Sequence, residues 1–322
     1  MSHEISIREN GFAEFAAVGD RWHGLGQFME PGASLDVWAS QAGLDYKIQR
    51  SFVRYAVSRN AQQIDYRQMD DQVVLFRSDT GAPLGLVSDG YKVVQPLEVL
   101  EFFRDWADQG GLQLESAGVL FGGKRYFATA KLGDGVLVGE GDMVIPYVLL
   151  SSSCDGSSAT EARWTTVRTV CNNTLSMARA GSKAAHKTSH RSVFKPGEAM
   201  AAIEAAHAEF GAFCTTAREL QELKVSRRMA EEFTLKLLTE KSIADESRIK
   251  NSTPYTKILE LFRSGAGQDL PGAQYTAWGY LNAITDYVDH ASRAKSDDQR
   301  ILNAQWGNGD TFKQAALNLM LA

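Results

Sequence analysis

The stretch from Val144 to Ala180, VIPYVLLSSSCDGSSATEARWTTVRTVCNNTLSMARA, constrains the fold more than any other part of the chain. Val144–Leu150 is a short apolar, β-branched run that suits a buried strand. Ser151–Ser158 is turn chemistry, with Asp155-Gly156 supplying the left-handed backbone that a tight reversal needs. Ala159–Val167, rich in Thr and Val and carrying Trp164, reads as the returning strand. Asn172–Arg179 then reads as a helix, with Leu175 and Met177–Ala178 as its apolar positions.

The same stretch opens a basic tract. Between Arg163 and Lys195 there is no Asp or Glu, while Arg163, Arg168, Arg179, Lys183, Lys187, Arg191 and Lys195 all fall there, with His186 and His190 besides. The whole chain has a net charge of −5, so seven cations here leave −12 for the remainder. Segregation on that scale produces a local positive field that polyanions feel, although a solvated loop is the plainer reading of any charge run.

Upstream, short strands dominate. Arg21-Trp22-His23-Gly24-Leu25-Gly26 reads as a close-packed turn, with His23 a packed ring rather than a ligand. Ser34–Ala42 is a helix with Ser34 as N-cap and Gly43 as its stop. Asp45–Ser58, Gln72–Arg77 and Leu84–Val87 read as strands of an antiparallel meander, because their connections are too short for crossover helices. Pro96–Asp108 is a helix whose Leu97, Leu100, Phe103 and Trp106 fall at helical spacing and read as core. Leu112–Leu120 and Arg125–Leu132 form a glycine-tipped hairpin that puts Lys124, Arg125 and Lys131 on exposed edges. Gly133–Asp142 reads as an acidic loop.

From Gly197 the character changes. Glu198–Leu223 and Ser226–Thr239 are long amphipathic helices, Tyr255–Phe262 is a shorter one, Thr276–His290 is a helix with a broad apolar stripe, and Thr311–Leu321 closes the chain. The expected class is α+β: an N-terminal arm and first helix (1–45), an antiparallel core (46–180), a basic linker (181–196) and a helical C-terminal domain (197–322). No apolar run is long enough to span a bilayer, and the first residues lack the parts of a signal peptide, so a cytoplasmic protein is expected.

Catalytic signals are sparse. The chain has no GxGxxG, GxxxxGK[ST] or HExxH, and Cys154, Cys171 and Cys214 have no zinc-site spacing, so no metal or cofactor is expected. Asp134, Glu140 and Asp142 share no helical face. Asp155, Arg168 and Cys171 could serve as acid, anion clamp and nucleophile, with His186 or His190 folding back as base. Asp286 and His290, four apart on a helix, read as a stabilising contact. Binding of single-stranded nucleic acid fits the residue types better: Lys124, Arg125, Arg163, Arg168, Arg179, Lys183, Lys187 and Arg191 for phosphate, with Phe127 and Trp164 either stacking on bases or filling the core.

Trp22–Gly26, Ala42–Tyr46, Tyr91–Gln95, Ser153–Gly156, Val167–Leu175, Thr276–Gly279 and Ala304–Gly309 together resemble the DUF932 family. This is a phage/plasmid-like family found on bacteriophages, plasmids and integrated elements, and the resemblance implies a mobile-element setting. The order of a strand meander, a helix and a basic hairpin is also similar to that of the Rad52-like single-strand annealing proteins. That similarity implies a ring- or filament-forming oligomer on single-stranded DNA, with no catalysis. The alternatives are an interaction or counter-defence protein that engages a host partner, and an enzyme that uses Asp155, Arg168 and Cys171 on nucleic acid.

Overall fold

The computed structural model describes residues 6–8, 10–18, 26–60, 63–107, 112–168, 173–176, 185–239, 245–295 and 297–321. The elements run β1 (Phe15–Ala17), β2 (Gln27–Phe28), α1 (Leu35–Ala42), β3 (Ile48–Asn60), β4 (Gln63–Arg77), β5 (Pro83–Ser88), α2 (Pro96–Ala107), β6 (Leu112–Leu120), β7 (Arg125–Leu132) and β8 (Val136–Gly139). They continue with β9 (Asp142–Ser153), β10 (Thr160–Arg168), β11 (Asn173–Ser176), β12 (Ala185–Thr188), α3 (Pro196–Glu222), α4 (Arg227–Thr239) and α5 (Glu246–Lys250). The last four are α6 (Thr253–Ser264), α7 (Ala277–Asp286), α8 (Asp297–Trp306) and α9 (Asn308–Leu321). The class is α+β. Two compact units result, one of Met1–Lys131, Val148–Arg163 and Ala185–Ala201, the other of Leu132–Tyr147, Trp164–Ala184 and Ala202–Ala322.

In the first unit one sheet runs β10-β9-β7-β6-β1-β2, and β12 pairs with β10 beside that path. β1 runs antiparallel to β6 (Phe15 opposite Gly118) and parallel to β2. β7 is therefore an interior strand, and Arg125–Ala128 are buried on both faces. The expected basic hairpin with exposed edges is corrected on this point: a strand flanked on both sides has no edge to expose. Its tip is a 3-10 turn over Phe121–Gly123, with φ of 55° at Phe121, 67° at Gly122 and 107° at Gly123.

The second sheet of this unit is β3-β4-β5, all antiparallel. Its strands are far longer than their apolar pattern indicates. Residues 59–71 are mostly polar, with Ala61, Ile64, Tyr66 and Met69 as the exceptions, yet β3 and β4 pair from Ile48↔Arg77 out to Asn60↔Gln63. Alternation is a signal of one buried face, and beyond Phe52 this ribbon has none. α1 forms as expected: Ser34 Oγ accepts from Val37 N, and Gly43 closes the helix at φ 72°. α2 starts with one arm of a capping box, where Gln95 N donates to Glu98 Oε2 at 2.8 Å. The Gln95 side chain also clamps the backbone of Ile48, accepting from its N at 2.9 Å and donating to its O at 3.1 Å.

The expected linker is ordered at residues 185–195. β12 pairs with β10, Glu161 opposite Lys187 and Ala162 opposite His186, and the chain then turns through His190. Both ring nitrogens of His190 face carbonyl oxygens, Nδ1 that of Lys92 at 2.9 Å and Nε2 that of Ser158 at 3.0 Å. The ring stacks on Tyr91 at 4.4 Å between centroids. His190 therefore binds three segments together.

The second unit corrects two further expectations. Asn173–Ser176 is a strand paired to β10 (Arg168 opposite Asn173), not a helix. Its Asn-Thr composition gives little helical preference, and the β10 edge offers a ladder. The expected acidic loop contains β8, paired to the start of β9. α7 is buried along Ala277–Thr285. Its cap is Thr276, whose Oγ1 accepts from Gly279 N at 3.1 Å, and Trp278 Nε1 donates to Asp142 Oδ2 at 2.8 Å. After Asp286 the helix widens into a π turn over Tyr287–Ala291. That changes the spacing on which the Asp286–His290 reading relied, and it places Asp289 2.5 Å from the buried Lys313 ammonium.

Gly279 is the tightest position in this unit. A Cβ there would sit 1.9 Å from Ala273 O and 2.8 Å from Gln268 Oε1. Gly279→Ala is expected to destabilise by about 3 kcal/mol, the upper end for overpacking, and urea unfolding followed by tryptophan fluorescence measures this. In the first unit, Arg77→Ala removes one partner of the buried Glu14 carboxylate and is expected to cost about 3–5 kcal/mol by the same assay.

Candidate nucleic-acid interface

The structure sorts the eight proposed phosphate contacts into three groups. Lys124, Lys187 and Arg191 are exposed. Arg125 and Arg163 are each only 6% exposed. Arg179 and Lys183 lie outside the described residues, and so does the Arg168 side chain, although its backbone closes β10. Phe127 and Trp164 are 6% and 1% exposed, so both fill core and neither offers a face to a base.

Arg125 and Arg163 are held by the interior of the first unit. Desolvation depresses the Arg125 guanidinium, while the nearby Asp155 and Glu161 carboxylates oppose that effect. Arg163 Nη1 lies 3.6 Å from Glu161 Oε1, and Lys187 Nζ lies 3.6 Å from Glu161 Oε2. A tract free of acids in sequence thus meets an acid in space, because β12 folds back beside the strand that begins just ahead of the tract. Lys187 itself stays 64% exposed and can turn outward. Arg191 follows it in the turn after β12, where its N donates to Ser189 Oγ.

Of the three residues in the enzyme reading, only Asp155 has a described side chain. Asp155 Oδ1 accepts from Ser157 N at 2.9 Å, which is local turn chemistry. Cys171 lies outside the described residues. Cys154, beside Asp155, is fully buried, its thiol donates to Gly123 O at 3.3 Å, and burial pushes its pKa up to about 12. A thiol so held is not a nucleophile at neutral pH. Among the described residues, no group of three or more His, Cys, Asp or Glu side chains could hold a metal, and no helix is long and apolar enough to cross a membrane.

Sequence reasoning missed two features. One is a buried charge cluster at the root of β4. Arg77 Nη2 donates to Glu14 Oε1 at 2.7 Å and Nη1 to Glu14 Oε2 at 3.1 Å. Its Nε and Nη2 donate to Asp79 at 2.9 and 2.8 Å, and its guanidinium lies 3.9 Å over the Tyr46 ring. No local pattern signals this, since Glu14 and Arg77 are 63 residues apart. The other is the outer β3–β4 ribbon, whose Arg54, Tyr55, Tyr66, Arg67 and Gln68 are all exposed.

A groove of about 600 Å³ also opens in this unit. Its wall is mainly apolar, with Leu75, Val94, Phe102, Val193 and Phe194, and Glu98 and Glu101 lie at its side.

Two predictions follow from these environments. Iodoacetamide at pH 8 should leave Cys154 unmodified in the folded protein and label it in urea, as read by peptide mass spectrometry. Asp79, whose carboxyl Arg77 holds below its ordinary value, adds stability that is fully present above about pH 4 and is lost as pH falls through the lowered pKa. Asp79→Asn should therefore flatten the acid limb of a stability-versus-pH curve, measured by urea midpoints between pH 2 and 6.

The family model for DUF932, a domain of unknown function, matches residues 83–306. No curated protein and no solved structure matches the chain. The similarity to Rad52-like annealing proteins thus has no solved structural neighbour behind it. The match runs from the first residue of β5 to the last of α8, more than half of the chain, and the protein belongs to the DUF932 family.

Proposed function

We propose that this chain is a cytoplasmic, mobile-element protein that binds single-stranded DNA without catalysis and serves strand annealing as an oligomer. The observation that carries the reading is β12. It is drawn from the acid-free tract, it lies on the β10 edge of the first unit's sheet, and it presents Lys187 and then Arg191 to solvent. Lys124, in the turn between β6 and β7 of the same unit, adds a third exposed cation. Phosphate contact needs no more than flexible, exposed cations, because neutralising the backbone releases its counterions.

A specific observation favours a second reading, an interaction protein that engages a host partner. Val193 is 67% exposed at the wall of the apolar groove. In that case Val193→Asp abolishes a stable complex with the partner and leaves oligonucleotide affinity unchanged.

The primary reading is tested with fluorescein-labelled (dT)30 by anisotropy across a salt series. Replacing Lys124, Lys187 and Arg191 by Ala should lower the magnitude of the log–log salt slope by about 2, since each single-strand phosphate contact contributes about 0.7. An unchanged slope removes these residues from the interface, and no binding of (dT)30 at low salt overturns the reading.

A further inference from the structure

We propose that the outer β3–β4 ribbon is an arm that docks in the major groove of B-form duplex DNA. β5 pairs with β4 at residues 72–76, whereas β3 and β4 stay paired to each other out to Asn60↔Gln63. From Val53 onward the ribbon therefore has two strands only, and among the described residues no third strand covers either edge. Eight residues of strand reach about 26 Å at about 3.3 Å per residue. A pair of strands about 5 Å apart enters a groove about 12 Å wide.

The chemistry of one face suits that groove. Residues directly opposite in an antiparallel pair share a face. Arg54 stands opposite Gln68, Ala56 opposite Tyr66 and Ser58 opposite Ile64. Arg54, Ala56, Tyr66 and Gln68 are all exposed, Tyr66 at 72% and Ile64 at 58%. Arg and Gln are the side chains that read guanine and adenine edges bidentately, and small apolar groups meet the thymine methyl. In the free chain Gln68 Nε2 donates to Asp70 Oδ1 at 3.2 Å, an exposed contact that a base edge can replace.

Charge selects the occupant. Between Val53 and Met69 the sequence places Arg54, Arg59 and Arg67 against Asp65 alone, in a chain of net −5. β3 carries Arg50, Arg54 and Arg59 and no acid. Arg50 is paired to the exposed Asp89. A second copy pairing edge to edge through β3 would bring like charges together, whereas a phosphate backbone meets complementary ones. The major groove of A-form RNA is too narrow for the ribbon, which restricts the partner to DNA. This surface is separate from the β12 edge and does not rest on the single-strand reading.

The test uses the full chain, a labelled 20-bp DNA duplex, the RNA duplex of the same sequence and (dT)30. Arg54→Ala/Gln68→Ala, and separately Tyr66→Ala, should weaken DNA-duplex binding tenfold or more and leave (dT)30 affinity within twofold. Arg54→Gln, which keeps a long polar side chain on the strand, should weaken duplex binding severalfold and keeps the test valid if the double variant fails to fold. Wild-type protein that ignores the DNA duplex overturns the proposal. So does duplex affinity indifferent to these substitutions, equal loss on the RNA duplex, or a change of sedimentation mass showing that a second copy occupies the ribbon. Loss of (dT)30 binding in the Lys124/Lys187/Arg191 variant, with duplex binding kept, separates the two surfaces.

Discussion

The first unit is organised around one buried guanidinium. Arg77 is 3% exposed, and a charge so placed is tolerated only when its donors are met. Two carboxylates meet them in pairs, Glu14 from the segment before β1 and Asp79 from the turn after β4. The Gly122 carbonyl and the Tyr46 ring complete the surround. Each partner comes from a different stretch of chain, so a single side chain fixes the root of β4 against β1, the β6–β7 turn and the start of β3. Gly123 shows how closely this is packed. At φ 107°, a Cβ there would meet Arg77 Cδ, Leu84 Cδ2 and Tyr46 Oη at 3.1 Å each. Net stabilisation from such a cluster is small, because desolvation offsets most of the attraction, and its larger effect is to exclude other arrangements.

What could be read from the sequence was decided by burial. Leu112–Leu120, Arg125–Leu132, α1 and α2 were legible because each has a core face or a cap with its own residue signature. The 59–71 segment was not, because a ribbon wet on both faces needs no alternation, and RNAQQIDYRQMDD looks like loop. β11 and β12 failed for a related reason: four-residue strands formed by docking on a neighbour's edge carry almost no local preference. At Gly307 the chain ends one helix, α8, and begins another at Asn308.

The candidate site shows a different limit. Counting charges along a sequence treats neighbours in the chain as neighbours in space. Glu161 precedes the acid-free tract by two residues, yet it lies within 4 Å of Arg163 and Lys187, because β12 returns alongside β10. Lys195, at the other end, pairs with Glu198 at 2.7 Å. The field outside the molecule is therefore smaller than a sevenfold positive tract suggests, and what remains depends on side chains such as Arg191 that extend from a turn. Arg125 and Arg163 contribute to packing and to internal charge balance instead.

An isolated pair of strands is marginal in water, so the order of β3–β4 beyond Phe52 has to be supplied from its base. Two clamps supply it. Gln95 holds both backbone groups of Ile48 at the start of β3, and the Arg77 cluster holds the end of β4. Both strand roots are thus fixed by groups that are buried or half-buried, while every side chain that could meet a partner stands beyond the irregularity between Phe52 and Val53. The family match begins at Pro83, after the ribbon, yet the residues that grip the ribbon's base include Gln95 and Gly122 within the matched range. The grip on the ribbon's base thus comes in part from residues inside the matched range, while the ribbon itself lies before it.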